Sequence, residues 1–102
     1  MELFKVVKGT AVNRGRARTW VEDAKLADWG FARGVRINVE FTATAITVTV
    51  DPDGSRIVAG RPNKAVLDLC EPIADRDARW GGDAKVNVWI AQGHIEIRRV
   101  AQ

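Results

Sequence analysis

Apolar and polar residues alternate at period two over residues 36–41 and 46–50. The alternation puts Ile37, Val39 and Phe41 on one face of a strand and Ile46, Val48 and Val50 on one face of its partner. Residues 42–45 close this hairpin, and the same pattern returns over 85–90 and 95–100 around Gln92-Gly93. The two hairpins correspond at a constant offset of 49: Asn38 falls on Asn87, Val39 on Val88 and Ile46 on Ile95. A fixed period of this kind makes internal repetition the first property of the fold. The same offset, carried upstream, sets Trp20 on Leu69, Val21 on Cys70 and Phe31 on Trp80. Nearer the start the register shifts to 51, with residues 5–9 matching residues 56–60.

Within the first copy, residues 3–8 read as a strand, residues 9–15 as a polar glycine-containing loop and residues 16–21 as a second strand. Asp23 is placed to cap a short helix from Ala24, and Gly30 to end it near Trp29 by taking the left-handed conformation. Asp51-Pro52-Asp53-Gly54 is the strongest turn signal in the chain, and it falls between the copies. The second copy follows with strands near residues 55–59 and 65–69 and a helix over 72–80, ended by Gly81-Gly82. The expected fold is mainly β with two short helices, an α+β chain of two ββαββ repeats, about 1–50 and 55–102, joined by the turn 51–54. Each half alone is too short to bury a stable core, so residues 1–102 form a single domain.

Charge narrows the function classes only slightly. Sixteen basic and thirteen acidic residues leave a net +3, compatible with a nucleic-acid partner without requiring one. The first 50 residues hold eight basic and five acidic groups, the remainder eight of each, so the positive bias sits in the first copy. Arg14-Gly15-Arg16-Ala17-Arg18 is the densest cationic run, and basic side chains on a loop reach phosphates or the guanine edge, with Asn13 or Asn63 able to bond bases. The plainer alternative is a solvated face that keeps an edge strand from aggregating. Cys70, the single cysteine, excludes an intramolecular disulfide and is expected as a small buried residue. His94 beside a turn is expected in solvent rather than as a general base. Asp68, Glu71, Asp75, Asp77 and Asp83 match no oxygen-ligand loop, Glu71 being explained by its place at a helix end. Trp29 and Trp80 are expected in the core, whereas alternation sets Trp89 opposite Val86, Val88 and Ile90, where an exposed ring would mark a partner contact. No cofactor, metal site or enzymatic activity is expected, and the lack of a long apolar run predicts a soluble, cytoplasmic protein away from membranes.

The segment Leu26-Ala27-Asp28-Trp29-Gly30-Phe31-Ala32-Arg33-Gly34, followed by alternation through Val39, resembles the swapped-hairpin proteins of the AbrB type and, more closely, their SymE-like relatives from toxin–antitoxin systems. In the second copy Asp75 stands in place of Leu26 and Gly81-Gly82 in place of Arg33-Gly34. The resemblance implies that two such units interleave their hairpins into one small β-barrel, here as a monomeric pseudo-dimer or a homodimer of such chains. It also implies double-stranded DNA as partner, contacted by Arg14, Arg16 and Arg18 in the first copy and Arg61 and Lys64 in the second, in a transcription regulator or nucleoid-associated factor. The rival expectation is a phage- or plasmid-borne interaction module that inhibits a host nuclease or defence complex through Trp89 and the hairpin faces. Uneven charge favours the rival, because a reader of palindromic DNA presents similar basic loops from both halves.

Overall fold

The computed structural model describes residues 1–101, with the side chains of Ala11 and Asn13 outside the described part. The elements follow as β1 (Glu2–Val7), β2 (Ala11–Asn13), β3 (Arg16–Asp23), a 3-10 helix (Ala24–Trp29), β4 (Arg36–Phe41), β5 (Ala45–Val50) and β6 (Arg56–Ile57). They continue as β7 (Ala59–Arg61), β8 (Lys64–Pro72), α1 (Ile73–Trp80), β9 (Val86–Ala91) and β10 (His94–Arg99). The chain is thus mainly β with two short helices, the α+β class that the alternation predicts. Among the described residues no helix is long and apolar enough to cross a membrane.

The strands form two antiparallel sheets, one of six strands in the order β1-β9-β10-β5-β4-β6 and one of four in the order β2-β3-β8-β7. Between them lies the core. Val21, Leu67 and Leu69 of the smaller sheet pack in one cluster with Ile46, Val48, Ile90, Ile95 and Ile97 of the larger, and Leu26, Phe31 and Trp80 close its margins. Both sheets are open, so the barrel expected from the resemblance does not form: closure needs every strand paired on both sides. The reason is local. After Ile57 the chain leaves the six-stranded sheet, the Val58 amide bonding Val35 O at 2.9 Å and the Gly34 amide bonding Val58 O at 2.8 Å, and β7 enters the other sheet. The strand expected over 55–59 is therefore broken in two, and the loop expected over 9–15 contains the three-residue β2, so each half has five strands rather than four.

Turns and caps follow the local sequence. Asp23 accepts from the Lys25 amide at 2.8 Å, and Gly30 at φ 94° ends the 3-10 helix. Pro72 sits at the N-cap of α1, one residue before the expected first turn, and Gly81 at φ 75° ends the helix. In the turn between the halves the Gly54 amide bonds Asp51 O and the Asp53 amide bonds Asp51 Oδ1, both at 2.9 Å. Gly54 is there for space: a Cβ on it would lie 2.2 Å from Ile37 O.

In the hairpins residues 49 apart share burial, Ile37 with Val86, Ile46 with Ile95 and Val48 with Ile97, but in β3 and β8 they do not. Val21 is fully buried and Cys70 half-exposed, while Leu69 is buried and Trp20 exposed, so the residues aligned at 49 point to opposite sides. A one-residue change of phase exchanges the two faces of a strand. Cys70 is accordingly outside the core, contrary to the sequence expectation. Glu71 is corrected in the same way: it belongs to β8, points inward and is 3% accessible, where Arg79 of α1, also 3% accessible in its side chain, grips it with two bonds of 2.7 and 2.5 Å. The Arg79 guanidinium lies 5.5 Å from the Phe41 ring centre and 4.9 Å from that of Trp80, and its Nε donates to Thr42 O at 3.0 Å. A second polar tie joins α1 to the β1–β2 connection: buried Arg76 donates to Thr10 Oγ1 at 2.9 Å, and the Thr10 amide to Asp83 Oδ1 at 2.7 Å.

Candidate nucleic-acid interface

All five basic residues singled out in the sequence belong to the four-stranded sheet or its hairpin turns. On β3 the alternation sends Ala17, Thr19 and Val21 inward, each no more than 1% accessible, and Arg16, Arg18, Trp20 and Glu22 outward. On β8 the outward set is Lys64, Val66, Asp68 and Cys70, as the register Arg18 opposite Cys70, Trp20 opposite Asp68 and Glu22 opposite Val66 requires. Arg61 lies opposite Lys64 and shares that face.

The β2–β3 turn is made by Arg14 and Gly15, at φ 53° and 77°. Positive φ at both central residues is the requirement of the two-residue turn that matches strand twist. Arg14 is alone among the described non-glycine residues in this conformation, which asparagine or glycine adopts far more readily. The β7–β8 turn, Pro62-Asn63, solves the same problem with a fixed proline φ and no left-handed residue. The Asn13 side chain lies outside the described part, and Asn63 is exposed at the second turn. Because β3 and β8 run antiparallel, the two turns stand at opposite ends of the sheet.

These cations have different duties. Arg18 Nε and Nη2 donate to Asp68 Oδ1 and Oδ2, each at 2.7 Å, while its guanidinium covers the Trp20 ring 4.6 Å from the centroid. Lys64 stands 3.3 Å from Glu22. Among the described residues Arg14, Arg16 and Arg61 form no ion pair and are exposed. Lys5 is committed elsewhere, to Glu22 O at 2.7 Å, and Arg36 donates to Gly54 O at 3.0 Å. Sequence reasoning found the cations but missed Asp68 and Trp20 as their partners. The Arg18–Asp68 pair spans 50 positions, and only the β3–β8 register brings it together.

Arg18's hydrogen bonds hold the Asp68 carboxyl below its usual 3.8, against a smaller opposing effect of burial. Burial, then the charge of Asp68, pushes the Cys70 thiol up, so at neutral pH it is a thiol that donates to Asp68 Oδ1 at 3.5 Å and not a nucleophilic thiolate. Asp83 is lowered as well, first by the Thr10 amide. A carboxyl whose folded pKa is depressed contributes stability that is complete above its unfolded value and is lost as pH falls through the folded one. Acidification below about pH 4 should therefore lower the urea midpoint, and Asp68→Asn and Asp83→Asn should each make that decline shallower than in the parent chain. An unchanged acid slope in both variants would show that neither bond contributes.

On the six-stranded sheet Trp89 is half-buried on the outer side, in register with Leu3 and Glu96. His94 is the first residue of β10 and half-buried, opposite Thr49 and Ala91, so it is a strand residue rather than a free turn residue. Of the acidic residues, Asp68, Glu71, Asp77 and Asp83 each meet a different partner, namely Arg18, Arg79, Arg76 and Thr10. The chain matches no protein-family model, no curated protein and no solved structure.

Proposed function

We propose that the chain binds duplex DNA through the outer face of its four-stranded sheet, as a transcription regulator or nucleoid-associated factor built from two fused units. The observation that carries this reading is the placement of cations at both ends of one face: Arg14 and Arg16 at one turn, Arg61 and Lys64 at the other. With about 3.3 Å of rise per residue, the register of β3 and β8 sets the turns roughly 25–30 Å apart. One turn of duplex advances about 34 Å, and a two-stranded ribbon fits the major groove, so both tips can address the same side of a duplex. Arg14 adds weight, because a strained residue in a turn that asparagine would relax points to a use for its side chain.

The fused-unit part of the reading is supported by strand order. If β1 is exchanged with β6, β2 with β7, β3 with β8, β4 with β9 and β5 with β10, both sheets read the same from the opposite end. The first strand of each half then lies on the hairpin of the other, β1 on β9 and β6 on β4, an exchange of the general kind that the resemblance implies.

The test is fluorescence anisotropy with random duplex DNA, titrated with salt. Micromolar binding that weakens steeply with salt is expected, and Arg14→Ala with Arg16→Ala should lower the logarithmic salt slope by about two, at 0.9 per phosphate contact. Arg18 is left intact, because its removal would free the Asp68 charge on the same face. Arg14→Asn should keep or raise folding stability, by up to about 1 kcal/mol, while weakening DNA binding. An unchanged slope in the double variant would sink the reading.

A second reading, a protein-interaction module, has one observation in its favour. Leu3 and Val6 of β1 are 48% and 44% accessible, and Trp89 stands opposite Leu3 in register. Absence of duplex binding even at low salt would move the search for a partner to that apolar edge.

A further inference from the structure

We infer that the hollow between Trp20 and the β7–β8 hairpin is a binding site for one unpaired nucleotide, with the base stacked on Trp20 and the phosphate held by Arg61 and Lys64. The hollow encloses about 410 Å³ and is lined by Trp20, Glu22, Gly60, Arg61, Lys64 and Val66. Its parts divide by chemistry. Trp20 is 41% accessible and Arg18 covers it at 4.6 Å, while Arg18 is not among the residues lining the hollow, so the ring is supported by a cation and still open to solvent there. The bidentate bond to Asp68 fixes the guanidinium, and the fixed guanidinium steadies the ring, which removes part of the ordering cost of stacking. Val66, 3% accessible, forms an apolar floor.

Gly60 contributes only main chain to the lining. Gly60 has φ 104°, and a Cβ there would lie 2.4 Å from Lys64 O, so the position is held to glycine and presents no side chain to an incoming base. Beyond it Arg61 and Lys64 supply positive charge, and Lys64 at 3.3 Å offsets the carboxylate of Glu22. That carboxylate is in turn an acceptor for the ring or exocyclic N–H groups that each of the common bases presents. An aromatic face beside paired cations is the arrangement that holds single strands, since every base has a π-face while the charge follows the backbone. A base inside a duplex has both faces covered by its stacked neighbours, so this site takes loops, ends or separated strands, DNA or RNA alike. It shares Arg61 and Lys64 with the duplex reading but depends on Trp20, which that reading does not use, and not on Arg14 and Arg16 at the other end of the sheet.

The experiment follows the tryptophan indole N–H signals of the full chain by NMR during titration with a thymidine pentanucleotide, a uridine pentaribonucleotide, an abasic sugar–phosphate of equal length and a blunt duplex. The Trp20 signal should move with both pentanucleotides while those of Trp29 and Trp80 stay in place. The abasic strand should bind about tenfold more weakly, and so should the thymidine strand to Trp20→Ala. Trp20→Phe should recover most of the loss, which separates stacking from any damage to the sheet. Arg61→Ala should lower the salt slope by about 0.7, one phosphate contact on a single strand, and leave the difference between thymidine and abasic strands unchanged. Equal binding of abasic and thymidine strands, or an unmoved Trp20 signal, would overturn the inference. Either result leaves the duplex arm to be judged on its own binding and on Arg14 and Arg16.

Discussion

Glu71→Gln and Arg79→Met, made singly, are each expected to cost about 3–5 kcal/mol of folding stability, the range for leaving one member of a buried ion pair without its partner. Both side chains are 3% accessible, and the guanidinium satisfies two carboxylate oxygens and the Thr42 carbonyl at once. Removing Arg79 leaves a carboxylate enclosed by sheet and helix; removing the Glu71 charge leaves a cation between Phe41 and Trp80 with no counter-ion. Glu71→Leu with Arg79→Met should behave differently, because taking both charges out together removes their desolvation cost as well as their attraction. The double variant should lie closer to the parent than either single one in urea denaturation. If the single variants lose less than about 1 kcal/mol, the pair is solvated in solution and the account of this junction is wrong.

Gly54→Ala is expected to cost about 3 kcal/mol, at the upper end for forced overpacking. The added carbon would meet Ile37 O at 2.2 Å and Ile37 C at 2.4 Å, both main-chain atoms of β4 with no flexible end to yield. Gly81→Ala is the matched control. That glycine has φ 75° and nothing within 4 Å of a new Cβ, so its substitution carries conformational strain alone, about 1 kcal/mol. Urea midpoints of the two variants should therefore separate clearly, and equal losses would mean that the turn shifts to make room.

Much of this molecule is legible in the sequence where short-range periodicity or a single cap residue decides the structure. Ile37, Val39 and Phe41 alternate against polar neighbours, and Asp23, Gly30 and Gly81 act within a few positions of themselves. Legibility fails where pairing spans the chain. Ala11-Val12-Asn13 is too short to show a period, so β2 reads as loop until β3 is there to pair with it. Glu71 reads as a helix-end acid because its partner is in the next element and its facing depends on the phase of β8. Cys70 is misplaced for the related reason that an alignment at 49 carries the phase of β3 one residue out of step. At the candidate interface the cations are visible as composition, but which of them are free is a property of the β3–β8 register: Arg18 is held by Asp68, and Arg14 and Arg16 are not.

The pairing of β1 with β9 also sets an order of events during synthesis. Val7 is placed by Val86 and Leu3 by Trp89, so β1 waits for β9 to be made. At about 5–20 residues per second that wait lasts several seconds. Throughout it Leu3, Phe4, Val6 and Val7 are an apolar segment with no sheet to join, the kind of surface that holding chaperones occupy. Folding of the larger sheet therefore waits for β9, and a ribosome stalled short of β9 would display β1 as an aggregation-prone strand without its partner.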